Sequence, residues 1–116
     1  MNLKGITLKD SEQAEYLHPK HKNYHLRDLV TAAGNPALSM HLGRLEPGGE
    51  IYVHTHEGQS ETFYILSGEA VCTMGEERLA FPAGSCGMAP PGVPHGLRND
   101  SAAPVTLLAL FTPPLK

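Results

Sequence analysis

The segment PGGEIYVHTHEGQSETFYILSG, residues 47–68, contains two predicted strands that flank a polar turn. His54 and His56 are two residues apart in the first of these strands, so both side chains leave the same face. Their Cα atoms would lie roughly 6.6 Å apart, a span that two imidazoles can close around one ion. Glu61 begins the second strand, and an antiparallel return would place its carboxylate beside the two histidines. The segment therefore predicts a metal site.

The residues around this site predict a pocket with largely apolar walls. Tyr52 shares the strand face of the two histidines, and Phe63 shares that of the glutamate.

A further ligand is expected from PPGVPHGLRN, residues 90–99, where three prolines form a rigid turn and His95 opens the next strand. A rigid backbone before a histidine holds it in place for ligand binding. We therefore expect four donors around one ion: His54, His56, Glu61 and His95.

Short runs rich in β-forming residues, each closed by glycine or proline, extend from residue 36 to residue 112. They recur about every eight to twelve residues and predict seven or eight strands in a sandwich or barrel. Twelve glycines and ten prolines in 116 residues interrupt the chain too often for long helices. We expect a single all-β domain over residues 1–116. Its N-terminal segment, residues 1–35, includes HLRDLVTAA, which fits a strand or a short helix.

Two groups of residues resemble the motifs of the cupin superfamily. The first family motif, G-x5-H-x-H-x4-E-x6-G, matches Gly48, His54, His56, Glu61 and Gly68. The second motif, G-x5-P-x-G-x2-H-x3-N, matches Gly84, Pro90, Gly92, His95 and Asn99. The short stretch of 15 residues between the motifs is typical of small single-domain bacterial cupins. The resemblance implies a jelly-roll barrel, a double-stranded β-helix, with a divalent metal near its axis held by His54, His56, Glu61 and His95. The motif glycines are expected in turn conformations closed to other residues, and Asn99 is expected to cap a turn.

We expect one divalent transition metal per chain, either iron, as an oxygenase would need, or manganese, nickel, zinc or cobalt. Open positions on a cationic centre favour a small anionic or chelating ligand, such as a carboxylate or an enolate. The resemblance favours a small-molecule metalloenzyme, most often an oxygen-dependent dioxygenase, with Glu61 as metal ligand and catalytic base. Two alternatives stay open: a metal-dependent isomerase, decarboxylase or lyase, and a non-catalytic module that binds or senses a small ligand.

Four further histidines lie outside the two motifs. His41 shares its strand parity with Leu45, so we expect it to point into the barrel as a base or substrate contact, or to pack there. The other three are spaced three and four residues apart, but Pro19 disfavours the helix that would align them. We expect solvated surface side chains for His18, His21 and His25.

Charge and composition limit the partners and the location. A net charge of −3 argues against nucleic acid, and no basic amphipathic stretch favours a membrane surface. The first residues lack an apolar run of signal-peptide length. Cys72 and Cys86 are too few for a disulfide framework and are expected to be buried, reduced thiols. We therefore expect a cytoplasmic protein with a small-molecule ligand, paired into a homodimer because a small barrel exposes strand edges.

Overall fold

The computed structural model describes residues 3–116 as one curled, nine-stranded antiparallel sheet preceded by a 3-10 helix, Asp10–Glu12. The strands, in chain order, are β1 Glu15–Leu17, β2 Lys22–Val30, β3 Ser39–His54, β4 Ser60–Ser67, β5 Glu69–Met74, β6 Glu77–Pro82, β7 Cys86–Ala89, β8 His95–Arg98 and β9 Val105–Thr112. Hydrogen-bonded neighbours follow the order β6-β5-β8-β3-β9-β4-β7, and β2 joins β3 to β1. The all-β jelly-roll prediction is confirmed. Within the described residues, no helix is long and apolar enough to cross a membrane.

β3 is one strand of 16 residues, Ser39–His54. Its first half pairs with β9 and its second half with β8. β2 pairs with β3 on both sides of residues 46–49, which bulge opposite Asn23. Asn23 and Gly48 both have positive φ, 51° and 77°, and allow the bulge. β3 therefore crosses between two parts of the sheet and carries both His41 and His54 to one cavity.

The core is built from alternate residues of neighbouring strands. Every second residue of β9 is buried, and fully buried side chains also come from β3 and β4. Phe63 is 2% exposed and packs against Phe81, with ring centroids 5.7 Å apart. Burying each such side chain stabilises the fold by about 1.5–3 kcal/mol. The largest fully buried apolar side chains are those of Phe63, Leu45, Ile65, Leu107 and Val105.

The turns around the two motifs follow the sequence prediction. At Gly68 a Cβ atom would lie 2.5 Å from the carbonyl oxygen of Pro104, so a side chain is excluded by contact as well as by conformation. Asn99 is fully buried, donates to two backbone carbonyls and accepts from the N–H of Ser101, which confirms its capping role. Positive φ values between 77° and 89° occur at all four motif glycines, Gly48, Gly68, Gly84 and Gly92.

The N-terminal segment forms a hairpin. β1 and β2 pair in antiparallel fashion, so the stretch that fitted either a strand or a short helix is a strand as far as Val30. The turn of this hairpin is His18-Pro19-Lys20-His21, residues 18–21. Both cysteines are free. Cys72 is buried as expected, but the expectation for Cys86 is wrong, because Cys86 lies exposed on β7 at the end of the sheet.

Candidate metal centre

Three strands bring the predicted donor residues together. His54 ends β3 and His95 begins β8, and these two residues are partners in the sheet register. His56 lies just beyond β3, in the loop to β4, and not on the strand where the sequence placed it. Glu61 is the second residue of β4, which pairs with β7 and β9 among the described strands. The predicted antiparallel return beside the histidines is therefore wrong, and Glu61 reaches them because the sheet curls.

The donor atoms of the four side chains all lie within 4.8 Å of one another. Nε2 of His54 is 3.1 Å from Nε2 of His56. Oε1 of Glu61 is 2.9 Å from Nε2 of His95 and 3.3 Å from Nε2 of His56. Ligand bonds of about 2.1 Å place donors at right angles about 3.0 Å apart. These three contacts match that spacing, so the donor set could hold a single metal ion.

Backbone carbonyls orient two of the imidazoles. Nδ1 of His54 lies 2.6 Å from the carbonyl oxygen of Tyr52, and Nδ1 of His95 lies 2.9 Å from that of Val93. A carbonyl oxygen only accepts hydrogen bonds, so Nδ1–H is the donor in both rings. The Nε2 atoms consequently face the other candidate metal ligands, in the orientation that a metal-binding imidazole needs.

The carboxyl group of Glu61 is ionised at neutral pH. Burial by itself would raise its pKa, but hydrogen bonds from His56 and His95 outweigh burial and hold the pKa at about 2. Burial acts to lower the pKa of His95, yet its bonds to Glu61 and to the Val93 carbonyl raise it overall. Burial lowers the pKa of His54. A metal would displace the proton that His95 shares with Glu61, so metal uptake should release protons.

The donor cluster opens into a cavity of about 570 Å³, a size typical of small-molecule sites. Two of the three predicted pocket residues, Tyr52 and His41, line this cavity. Tyr52 is 46% exposed. Phe63 is instead part of the buried core, where its ring stacks 6.3 Å from that of His95. Phe63 therefore packs against His95 from the core and does not line the cavity. Strand parity did not predict this difference, because it gives core residues and cavity residues the same inward orientation.

His41 points inward, as its strand parity predicted, and is 2% exposed. Its Nδ1–H donates to a carboxylate oxygen of Asp28 at 2.8 Å, and its Nε2 accepts from the hydroxyl of Ser39 at 3.0 Å. The hydroxyl oxygen of Ser39 in turn accepts the backbone N–H of Leu115. Both ring nitrogens of His41 thus have protein partners, and the residue ties the wall of the cavity to β2.

Two residues that the sequence did not predict for the site, His18 and His21, line the cavity. The ring of His21 lies 5.0 Å from that of His54 and 4.4 Å from that of His18. Burial is the main cause that lowers the pKa of both rings, to about 4 for His21. The expectation of solvated surface side chains is therefore wrong for these two. The available signal was Pro19, since a proline in a tight turn brings its flanking residues together.

A curled antiparallel sheet in which three imidazoles and one carboxylate converge on a cavity defines a barrel protein with a candidate metal site. The chain belongs to the cupin domain family, whose match covers residues 41–111. Both motifs, from Gly48 to Asn99, fall inside the matched region.

Several known proteins are similar to this chain. A predicted oxalate decarboxylase from Thermotoga maritima superposes with a TM-score of 0.85 at 24% identity, covering 92% of this chain and 98% of that one. The protein TT1209 from Thermus thermophilus is 34% identical, with a TM-score of 0.71 and coverage of 93% and 98%. An oxalate-binding protein from Thermotoga maritima is 31% identical over 59% of this chain and 56% of its own length. The chain spans about half the length of the curated relatives it matches.

Proposed function

We propose that this cupin holds one divalent transition metal per chain and acts on a small, anionic, chelating substrate bound there. The observation that supports the proposal is the convergence of four donor atoms within 4.8 Å at a cavity of about 570 Å³. The residues that would hold the metal are His54, His56, Glu61 and His95.

The charge of the cavity favours an anion. Three neutral imidazoles and one carboxylate leave a divalent ion with a net positive charge. Lys20 and Lys116 also line the cavity, and the Lys116 ammonium donates to the hydroxyl of Tyr16 at 2.8 Å. An oxalate-binding protein among the relatives agrees with a small dicarboxylate as ligand. Lys116 also pairs with the Asp28 carboxylate at 3.5 Å, so the metal and Lys20 are the positive charges that a chelating acid would meet.

Oxygen-dependent cleavage is the reaction that we propose, with iron as the working metal. When bound, the metal supplies Lewis acidity and, for iron, electron exchange with oxygen. The chain supplies fixed donors, since the Tyr52 and Val93 carbonyls orient two of the rings. A carboxyl group with a pKa of about 2 binds cations well but is a weak base, so Glu61 acts here as a ligand more than as a base.

The second candidate function is binding without turnover. It is favoured by the relative that is named an oxalate-binding protein. Isomerase, decarboxylase or lyase chemistry would use the same donor set with a metal such as manganese, nickel, zinc or cobalt. A cytoplasmic location and pairing into homodimers belong to the proposal in each case.

Comparison of the iron-loaded and zinc-loaded proteins tests the proposal. A panel of small carboxylic and enol acids, including oxalate, is incubated with each form while dissolved oxygen and compound loss are measured. We expect oxygen uptake by the iron form alone, because zinc has no redox chemistry. Glu61→Ala should abolish the uptake and release the metal. Glu57→Ala, which alters an exposed carboxylate of the same loop, is the matched control and should change neither.

The other outcomes discriminate between the candidates. Loss of a compound with the zinc form and no oxygen would assign isomerase, decarboxylase or lyase chemistry. Binding of oxalate without turnover by either form would favour the sensing function. A chain that takes up neither metal would contradict the proposal as a whole.

A further inference from the structure

The turn between β1 and β2 places two histidines that belong to neither motif against the candidate metal centre. His18 and His21 flank Pro19 and Lys20, and all four residues line the cavity. From His54 the rings step outward, 5.0 Å to His21 and a further 4.4 Å to His18. A ligand held by the donor cluster would therefore extend along these two rings.

Backbone N–H groups determine which nitrogen of each ring carries the proton. The N–H of Tyr52 donates to Nδ1 of His21 at 3.1 Å, and the N–H of Lys20 donates to Nδ1 of His18 at 3.1 Å. A nitrogen that accepts a hydrogen bond has a free lone pair and no proton. In both neutral rings the proton is consequently on Nε2, which becomes a donor.

This arrangement is the reverse of that in the candidate metal ligands. His54 and His95 donate from Nδ1 to carbonyl oxygens, so their Nε2 atoms are oriented as ligands. His18 and His21 accept at Nδ1, so their Nε2 atoms are oriented as hydrogen-bond donors. Within residues 3–116, neither Nε2–H of this second pair has a hydrogen-bond acceptor. Backbone groups thus orient His54 and His95 to bind a metal, and His18 and His21 to donate hydrogen bonds.

We propose that His18 and His21 donate hydrogen bonds from Nε2–H to the bound ligand. The acceptors are those carboxylate oxygens of the ligand that are not coordinated to the metal. This inference rests on the proposed function, because it takes the ligand to be a small anion held at the metal. The two histidines would determine which ligands bind, because a ligand needs a second anionic oxygen that reaches the β1–β2 turn. Dicarboxylates should therefore bind more tightly than monocarboxylates of similar size.

Two measurements test this inference. The first is calorimetric titration of zinc-loaded protein with oxalate and with acetate, zinc being used because it is redox-inactive. His21→Ala and His18→Ala should each weaken oxalate binding by about tenfold or more, as expected for a hydrogen bond to a charged group. Zinc stoichiometry and acetate binding should be unchanged. His21→Gln, which keeps an N–H donor, should retain most of the oxalate affinity. His25→Ala, in the same segment but outside the cavity lining, is the matched control.

The second measurement reads the tautomers directly. Two-bond ¹H–¹⁵N NMR correlations of metal-free protein at pH 7.5 should show Nε2–H and an unprotonated Nδ1 for both rings. Unchanged oxalate affinity in both alanine variants, or a proton on Nδ1 in both rings, would overturn the inference. A wild-type protein that takes up no metal would instead contradict the proposed function, while the NMR result would still decide how the two rings are protonated.

Discussion

His95 is the most deeply buried of the four donor residues, with 4% of its side chain exposed against 12% for Glu61 and 17% for His56. Its ring is held by the Val93 carbonyl on one side and by the Glu61 carboxylate on the other. His56 lies in a loop, so its replacement should disturb the fold least. These differences suit single substitutions that test metal binding separately from folding.

Replacing His56 or His95 with alanine should remove most of the metal, which is about one ion per chain in the wild type. Metal affinity should fall as the pH drops through the imidazole range near 6.5, because protons compete for the Nε2 atoms. Metal content measured by mass spectrometry at pH 8 and pH 5 checks both expectations. His25→Ala serves as the control and should keep its metal. Full occupancy in the double variant of His54 and His56 would place the ion elsewhere.

Asp28 should contribute to stability in a pH-dependent way. Burial would raise its pKa, but hydrogen bonds from Tyr16 and His41 outweigh burial and keep the pKa below its ordinary value. Its stabilising contribution is therefore present above the unfolded-state value of about 3.9 and is lost as the pH falls through the folded-state pKa. Asp28→Ala should lower the free energy of unfolding by about 1–3 kcal/mol, because the buried Nδ1–H of His41 loses its acceptor.

Urea denaturation at pH 7 and at pH 3 measures this effect. The difference between wild type and Asp28→Ala should shrink at the lower pH. Asp28→Asn is the matched control, since its amide oxygen still accepts from His41, and it should be less destabilised. A stability difference that stays constant across this pH range would contradict the assigned ionisation of Asp28.

At the scale of the strands, the close contact between β3 and β8 positions two of the four donors. His54 and His95 are register partners, and Gly96 follows His95 in β8. A Cβ atom on Gly96 would lie 2.7 Å from the carbonyl oxygen of Ile51 and 3.0 Å from the backbone N of Val53. These are backbone atoms, which cannot rotate away. Only glycine therefore allows β8 to approach β3 this closely.

Gly96→Ala should push β8 away from β3 and separate His95 from His54. We expect a loss of about 1–3 kcal/mol in the free energy of unfolding, as for other overpacked sites, together with weaker metal binding. Chemical denaturation and metal titration measure the two effects. Gly58→Ala is the control, because its added Cβ would meet no atom within 4 Å. Unaltered metal affinity in a folded Gly96→Ala protein would show that strand spacing does not position the site.

For the molecule as a whole, the outer face of β4 and β7 is the surface that we expect to pair. Tyr64, Leu66 and Met88 are 43%, 46% and 53% exposed. β7 ends the order of strands in the sheet, so its outer edge has no strand neighbour among the described residues. An apolar face next to a free strand edge favours association through a two-fold interface.

Light scattering at micromolar concentration should give about twice the chain mass of 12.5 kDa. Tyr64→Lys or Leu66→Lys should shift the protein towards the monomer. Leu17→Lys, a change at an exposed leucine of β1, is the control and should leave the mass unaltered. A wild-type mass near 12.5 kDa would refute the homodimer.

Sequence spacing by itself determined the class of fold and the identity of the donor residues. Alternation along strands is a local property with a period of two, so the inward orientation of His41 followed from its distance to Leu45. The turn glycines were also predictable, because a positive φ is a local property of a single residue. The fixed spacing of both motifs named the four residues that the fold brings together.

Only the tertiary structure decided which strands are neighbours and what lines the cavity. Glu61 meets the histidines from β4, which pairs with β9 and β7, and not through the hairpin that its position suggested. His18 and His21 reach the cavity because β2 lies along β3, and the pairing nearest to them joins Lys22 to Glu50. Such pairings depend on how the whole sheet curls to bury its apolar face, and local spacing contains no information about that long-range packing.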